Sequence, residues 1–151
     1  MTDTTLTPID TTQNPHIYGE LWTIAENWTH DGVIVFADIK EKLNLHLDPV
    51  QLGGSIRGND LYEHLKEQNI NVLNATIWQY LRDHHNEIPE NWKIGPKDNA
   101  QYIFFWGTID RSPEGDLYVR YISWTGGNWV FGNYLLSGNW HEDFPAAVLV
   151  K

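Results

Sequence analysis

The side chains that could do chemistry in this 151-residue chain fall into a few short clusters. Asp83-His84-His85-Asn86-Glu87 and His141-Glu142-Asp143 combine imidazoles with carboxylates, the groups used for metal ligation and general acid–base work. A metal site needs two or three ligands converging, for example histidines at i and i+4 on one helix face. Neighbouring His84 and His85 point apart, and the sequence has no HExxH. A helix C-terminus, whose dipole favours imidazolium, is the plainer account of that pair. Nucleophilic catalysis has no thiol, since there is no cysteine, and no GxSxG elbow. Glu142 and Asp143 are adjacent in sequence, so they do not by themselves form a pair across a cleft. The reading is therefore no catalytic residue, no metal and no cofactor, with an enzyme of unknown class as one alternative.

Two further motifs fail on composition. Gly53-Gly-Ser-Ile-Arg-Gly58-Asn-Asp has phosphate-loop glycine spacing but lacks the Lys-Ser/Thr that would meet phosphate and Mg²⁺. A helix-breaking turn is expected there. Residues 15–68 read as helix, short strand, helix, turn, helix, which is winged-helix-like in order. DNA-reading versions carry Lys and Arg on the recognition helix. Here Asp48 to Gln68 sets Arg57 and Lys66 against Asp48, Asp60, Glu63 and Glu67.

Charge points the same way. The formal net charge is −10. Through Asn91 there are 5 Lys/Arg against 14 Asp/Glu, and from Trp92 onward 5 against 6. An acidic first segment repels nucleic acid and anionic membranes and draws a basic protein partner. MTDTTLTPIDTTQNP has neither the basic nor the apolar region of a signal peptide. With no cysteine and no membrane-length apolar run, a cytoplasmic protein is the expectation.

The elements that must position these residues divide at a loop. Residues 1–14 read as a flexible arm. Residues 15–88 read as an acidic helical part. Asn14-Pro15 opens a helix to about Thr29, with Ile17, Leu21, Ile24 and Trp28 at helical spacing and His30-Asp31-Gly32 ending it. Val33–Phe36 is a short strand, Ile39 and Leu43 mark a second helix, and Asp48-Pro49 opens a third. Asp60 and Glu63 have capping-box spacing, and Asn74 caps a helix holding Ile77, Trp78 and Leu81. Residues 89–101 are loop chemistry. From 102 to 151 the period becomes two. Tyr102–Asp110, Leu117–Trp124 and Asn128–Leu136 read as strands joined by Ser112–Asp116 and Thr125–Gly127, with a fourth, edge strand at Ala147–Val150. Short turns permit only antiparallel neighbours. The fold class expected is α+β: a helical N-terminal part, then a three- to four-stranded antiparallel β-meander, packed as one domain or two.

The meander is rich in rings. From YIFFWG (Tyr102–Gly107) on to Ile109, Tyr102, Phe104, Trp106 and Thr108 alternate with Ile103, Phe105, Gly107 and Ile109, so both faces need cover. A partner surface built from Tyr118, Trp124, Trp129 and Tyr134 is the functional expectation, with Asp60, Glu63 and Glu67 supplying charge. Trp and Tyr suit interfaces because they join large area to a polar handle. The same rings with Asn128, Asn133 and Asn139 nearby would also suit a carbohydrate-binding platform. A homodimer through the β sheet is a further arrangement these strands allow.

Several blocks in order carry a resemblance: Ile88-Pro-Glu-Asn-Trp-Lys93, FFWGTIDR (Phe104–Arg111), LYVRYISW (Leu117–Trp124), GGNW (Gly126–Trp129) and PAAVL (Pro145–Leu149). Together they resemble small uncharacterised bacterial proteins with the pattern IPExWK, FFWGTIYR, YVRxLxW, a Gly-rich turn and a Trp-rich end before PAAVL. Here Asp110 stands where that pattern usually has Tyr, and the GNWHEDF end is less acidic. The resemblance implies a recurrent bacterial module and no activity. The combined expectation is a non-enzymatic, acidic protein-binding module of bacterial or phage type, acting as an immunity protein, antitoxin or anti-defence inhibitor does.

Overall fold

The computed structural model describes residues 8–28 and 32–150. Among them are ten strands and three short α-helices, so strand outweighs helix over the described residues, and five of the strands lie in the first half. The expected helical N-terminal part is overturned. Where a helix to Thr29 was predicted, residues 15–22 are irregular, with a turn closed by Trp22 N–H on Gly19 O, and Thr23–Asn27 is a strand, β2. Thr29, His30 and Asp31 lie outside the described residues. Ile17 and Leu21, assigned to a buried helical face, are 55% and 77% exposed, and Leu21 has φ 67°. The second predicted helix is one turn, α1 (Phe36–Ile39), followed by a 3-10 turn and the strand β4 (Leu43–His46). Asp48-Pro49 does open a helix, but only the 3-10 turn Pro49–Gln51.

The two longer helices are α2 (Gly58–Glu67) and α3 (Ala75–Asp83). Asn74 caps α3, its side chain accepting from Thr76 N–H. At α2 the N-cap is Arg57 rather than Asp60, without a side-chain cap bond. Gly58 is required there. A Cβ would lie 1.6 Å from the Leu136 carbonyl oxygen, which explains the last glycine of the Gly53–Gly58 run.

The frame is a six-stranded sheet. Its meander is β6 (Tyr102–Arg111), β7 (Leu117–Thr125) and β8 (Asn128–Leu135). β10 (Ala146–Leu149), expected at an edge, instead lies inside the sheet between β4 and β6, giving the order β4-β10-β6-β7-β8. β2 pairs with the second half of β6, from Asn27↔Thr108 to Thr23↔Arg111. Two small sheets complete the fold: β1 (Pro8–Asp10) with β3 (Val33–Val35), and β5 (Ser55–Arg57) with β9 (Asn139–His141).

β6 thus changes lateral neighbour midway, from β10 to β2, and Gly107 sits at the change. Its N–H donates to Leu73 O (3.0 Å) and its carbonyl accepts Trp28 N–H (2.6 Å). A Cβ at Gly107 would meet the Asn74 backbone at 2.7 Å. Thr108 Oγ1 donates to Asn27 Oδ1 (2.6 Å) and accepts from Ala75 N–H (2.8 Å), fastening the start of α3 to the break. Between Phe104↔Tyr121 and Ile109↔Val119 the register slips, five steps along β6 against two along β7. The three extra residues invert the inward–outward alternation. Ile109, expected on the face of Ile103 and Phe105, joins Phe104 and Trp106 instead.

Both faces of YIFFWG are covered by the chain itself. Ile103 and Phe105 pack with Ile77, Trp78, Trp92 and Phe36 on the α3 side. Phe104 and Trp106 pack with Leu61, Leu65 and Trp140 on the α2 side. On the α3 face an ion pair is enclosed. Arg120 donates to both Asp110 oxygens (2.7 and 3.0 Å) and to His16 O (2.8 Å), with its guanidinium 4.9 Å from the Trp78 ring centroid. Both side chains are essentially inaccessible.

Candidate functional site

The seven residues expected to bind a partner do not form one surface. Trp124 and Trp129 come together as a cross-strand pair beside the Gly126-Gly127 turn, ring centroids 5.1 Å apart and planes at 65°. Both are half-buried, and Lys93 Nζ lies 4.1 Å over the Trp124 ring. Tyr118 shares their sheet face but sits at the far end of β7, edge-on to Trp22 at 5.2 Å. Tyr134 is on the opposite face, packed on Trp140 and Phe144 at 5.1 Å each, with its hydroxyl donating to Asn139 O (3.1 Å). Asp60, Glu63 and Glu67 are exposed on α2, which covers Tyr134's side of the sheet, and Glu63 faces Lys66 at 3.9 Å. The edge-to-face indoles, one with an ammonium above it, do not make the flat platform on which a sugar ring stacks.

The chemistry-bearing clusters are held in local contacts. His84 stacks on Tyr80 at 4.1 Å, with Nδ1 2.8 Å from the Tyr80 carbonyl, and His85 stacks on Phe131. Glu142 pairs with Lys97 (3.0 Å), and Asp143 accepts from Asn99 and lies 3.8 Å from His141. Among the described residues no three His, Cys, Asp or Glu side chains are grouped to hold a metal.

A pair that spacing did not reveal is Asp48 with His64, Oδ2 to Nδ1 3.0 Å. Burial alone would raise the Asp48 carboxyl. Hydrogen bonds from Val50 N–H and His64, with the nearby imidazole charges, outweigh it and hold the group below the usual carboxylate range. Burial lowers His46, which Asp48 only partly offsets. Asp48 also belongs to a capping box with Gln51, whose amide donates to the carbonyls of His141 and Phe144. The pair therefore fastens the segment after β4 to α2 and to the β9 region. Among the described residues no hydroxyl is hydrogen-bonded to His64, so the pair lacks the nucleophile a triad needs.

The feature with unused binding capacity is the outer edge of β8. Leu136 N–H donates to Leu117 O (2.8 Å), and alternation along an antiparallel pair then turns Val130, Gly132 and Tyr134 toward β7. The backbone groups of Trp129, Phe131 and Asn133 point away from the sheet. No described strand lies on that side. The strand reads NWVFGNYL, without charge or proline. Val130 and Leu135 are 39% and 37% exposed on it. Natural edges usually carry charges, prolines or a covering segment. The signal was present in the sequence: a neutral last strand of a meander is an edge unless a later strand returns to it, and the later strand docks elsewhere.

No family model, curated protein or solved structure matches this chain. Among the described residues no helix is long and apolar enough to cross a membrane.

Proposed function

We propose that this chain is a non-enzymatic protein-binding module of bacterial or phage type, which acts by occupying the surface of a basic partner as immunity proteins, antitoxins and anti-defence inhibitors do. The observation that carries the reading is the half-buried Trp124–Trp129 pair at the tip of the β7–β8 hairpin. Two adjoining indoles that a partner can finish burying have the composition of a binding hot spot. The −10 charge supplies the attraction. Because Asp60, Glu63 and Glu67 lie on the other side of the sheet, they act through the field of the whole molecule, raising the encounter rate rather than touching the partner.

The test uses the chain as bait in lysate of the organism that encodes it, beside a W124A/W129A variant and an E63K/E67K variant. The expected result is a basic protein retained by the native chain. Removing both indoles weakens its binding by about 2 kcal/mol or more. The charge variant slows association and flattens its salt dependence. Equal capture by the indole-free variant would sink the reading.

A further inference from the structure

We infer that the open edge of β8 pairs with β8 of a second copy of this chain, antiparallel about a two-fold axis at Gly132. This does not rest on the inhibitor reading, because it follows from the edge and not from the hairpin tip.

Three observations select this occupant. The outward N–H and C=O groups of Trp129, Phe131 and Asn133 need an extended backbone, since only a strand offers donors and acceptors at that spacing. The eight residues of β8 carry no charge, so two copies can align without setting like charges opposite one another. The strand is also self-complementary. With Gly132 on the axis, Phe131 of one copy exchanges hydrogen bonds with Asn133 of the other. Trp129 then faces Leu135, and Val130 faces Tyr134. The last is a β-branched–aromatic pairing of the kind that stabilises sheets. The residue that meets its own copy at a close, non-hydrogen-bonded position is a glycine, which adds no side chain there. A pairing shifted by one residue would set outward backbone against inward and is forbidden.

The association is opposed by the −10 charge each copy carries, so salt should strengthen it by screening. A basic partner would respond in the opposite sense, and the two readings therefore fail separately.

Sedimentation of the purified chain over a concentration series is expected to show a monomer–dimer equilibrium that shifts to dimer as salt rises. V130K, at an exposed position facing away from the main ladder contacts of Trp129 and Phe131, should weaken dimerisation roughly tenfold or more while leaving the thermal melt of the monomer in place. Register is read by cross-linking, on a background with no native cysteine. An oxidised mixture of V130C and Y134C chains should give a mixed disulfide dimer, and V130C alone should give none. Should Y134C not fold, a mixture of W129C and L135C reads the same register. A chain monomeric at every concentration and salt, or a dimer unchanged by V130K and giving no mixed cross-link, overturns the inference.

Discussion

The main run of the six-stranded sheet, β4-β10-β6-β7-β8, ends in two unlike edges. β4 is four residues long, follows Lys40 and Lys42, and leads to Pro49. Its pairing with β10 leaves Leu45 facing outward, and there the side chain of Asn44 accepts the Leu45 N–H (2.8 Å). A neighbouring residue has occupied the donor that an incoming strand would need. The segment beyond β4 is then fixed by Asp48 to Val50 and His64. β8 is twice as long and neutral; its edge is closed at one end, where Gly138 N–H donates to Leu135 O (3.0 Å), and open at Trp129, Phe131 and Asn133. An edge closed by its own side chains at one end and left open at the other is what a protein with one side reserved for pairing would show.

The comparison can be broken most strongly from the interior. β8 is laddered to the described sheet through β7, and β7 is anchored by Arg120 on Asp110. D110L would leave a guanidinium buried without its carboxylate, which costs about 3–5 kcal/mol. Denaturant titration should show that loss. Hydrogen exchange should quicken at β7 and β8 before it does at β4 and β10.

On the closed side, D48A removes the cap of the 3-10 turn and the partner of His64. A loss of about 1–2 kcal/mol is expected by chemical denaturation. Acid acts at the same place. The His46 imidazole and Asp48 carboxyl both titrate lower in the folded protein than in the unfolded chain. Their stabilising contribution is therefore complete above the unfolded values and is lost as pH falls. Loss begins below about pH 6.5 with His46 and continues below 3.8 with Asp48. A melting series from pH 8 to 3 should lose its upper step in H46F and its lower step in D48A. The smallest effect is expected for N44A, which releases the Leu45 N–H. Stability should change by less than about 1 kcal/mol. Amide exchange at Leu45 should quicken while its neighbours are unchanged.

The second half of the molecule was legible because its signals are local. Two-residue periodicity and short Gly-rich turns place β6, β7 and β8 without knowledge of anything distant. The first half was not. Ile17, Leu21, Ile24 and Trp28 recur at helical spacing, but Ile24 is paired with Asp110, more than eighty positions away, and the helix loses to that ladder. The face assignment at Ile109 failed for a related reason, since the slip beside Gly107 depends on Leu73 and Asn74 pressing against the strand. Of the proposed binding residues, adjacency of Trp124 and Trp129 followed from the turn length. The placement of Tyr134 and the acidic helix on the other side depended on how α2 crosses the sheet. Asp110, where the resembled pattern has Tyr, gave no hint of its pairing with Arg120.

The change of neighbours along β6 has a consequence for biosynthesis. On the side away from β7, residues 23–27 pair with the second half of that strand, while Asp143, Pro145 and Ala146 meet its first half at Tyr102 and Phe104. An emerging polypeptide can store the first of these but cannot close the second until residue 146 has left the ribosome. The central ladder is therefore completed late, by closure of long loops, and slow folding is the cost of that topology.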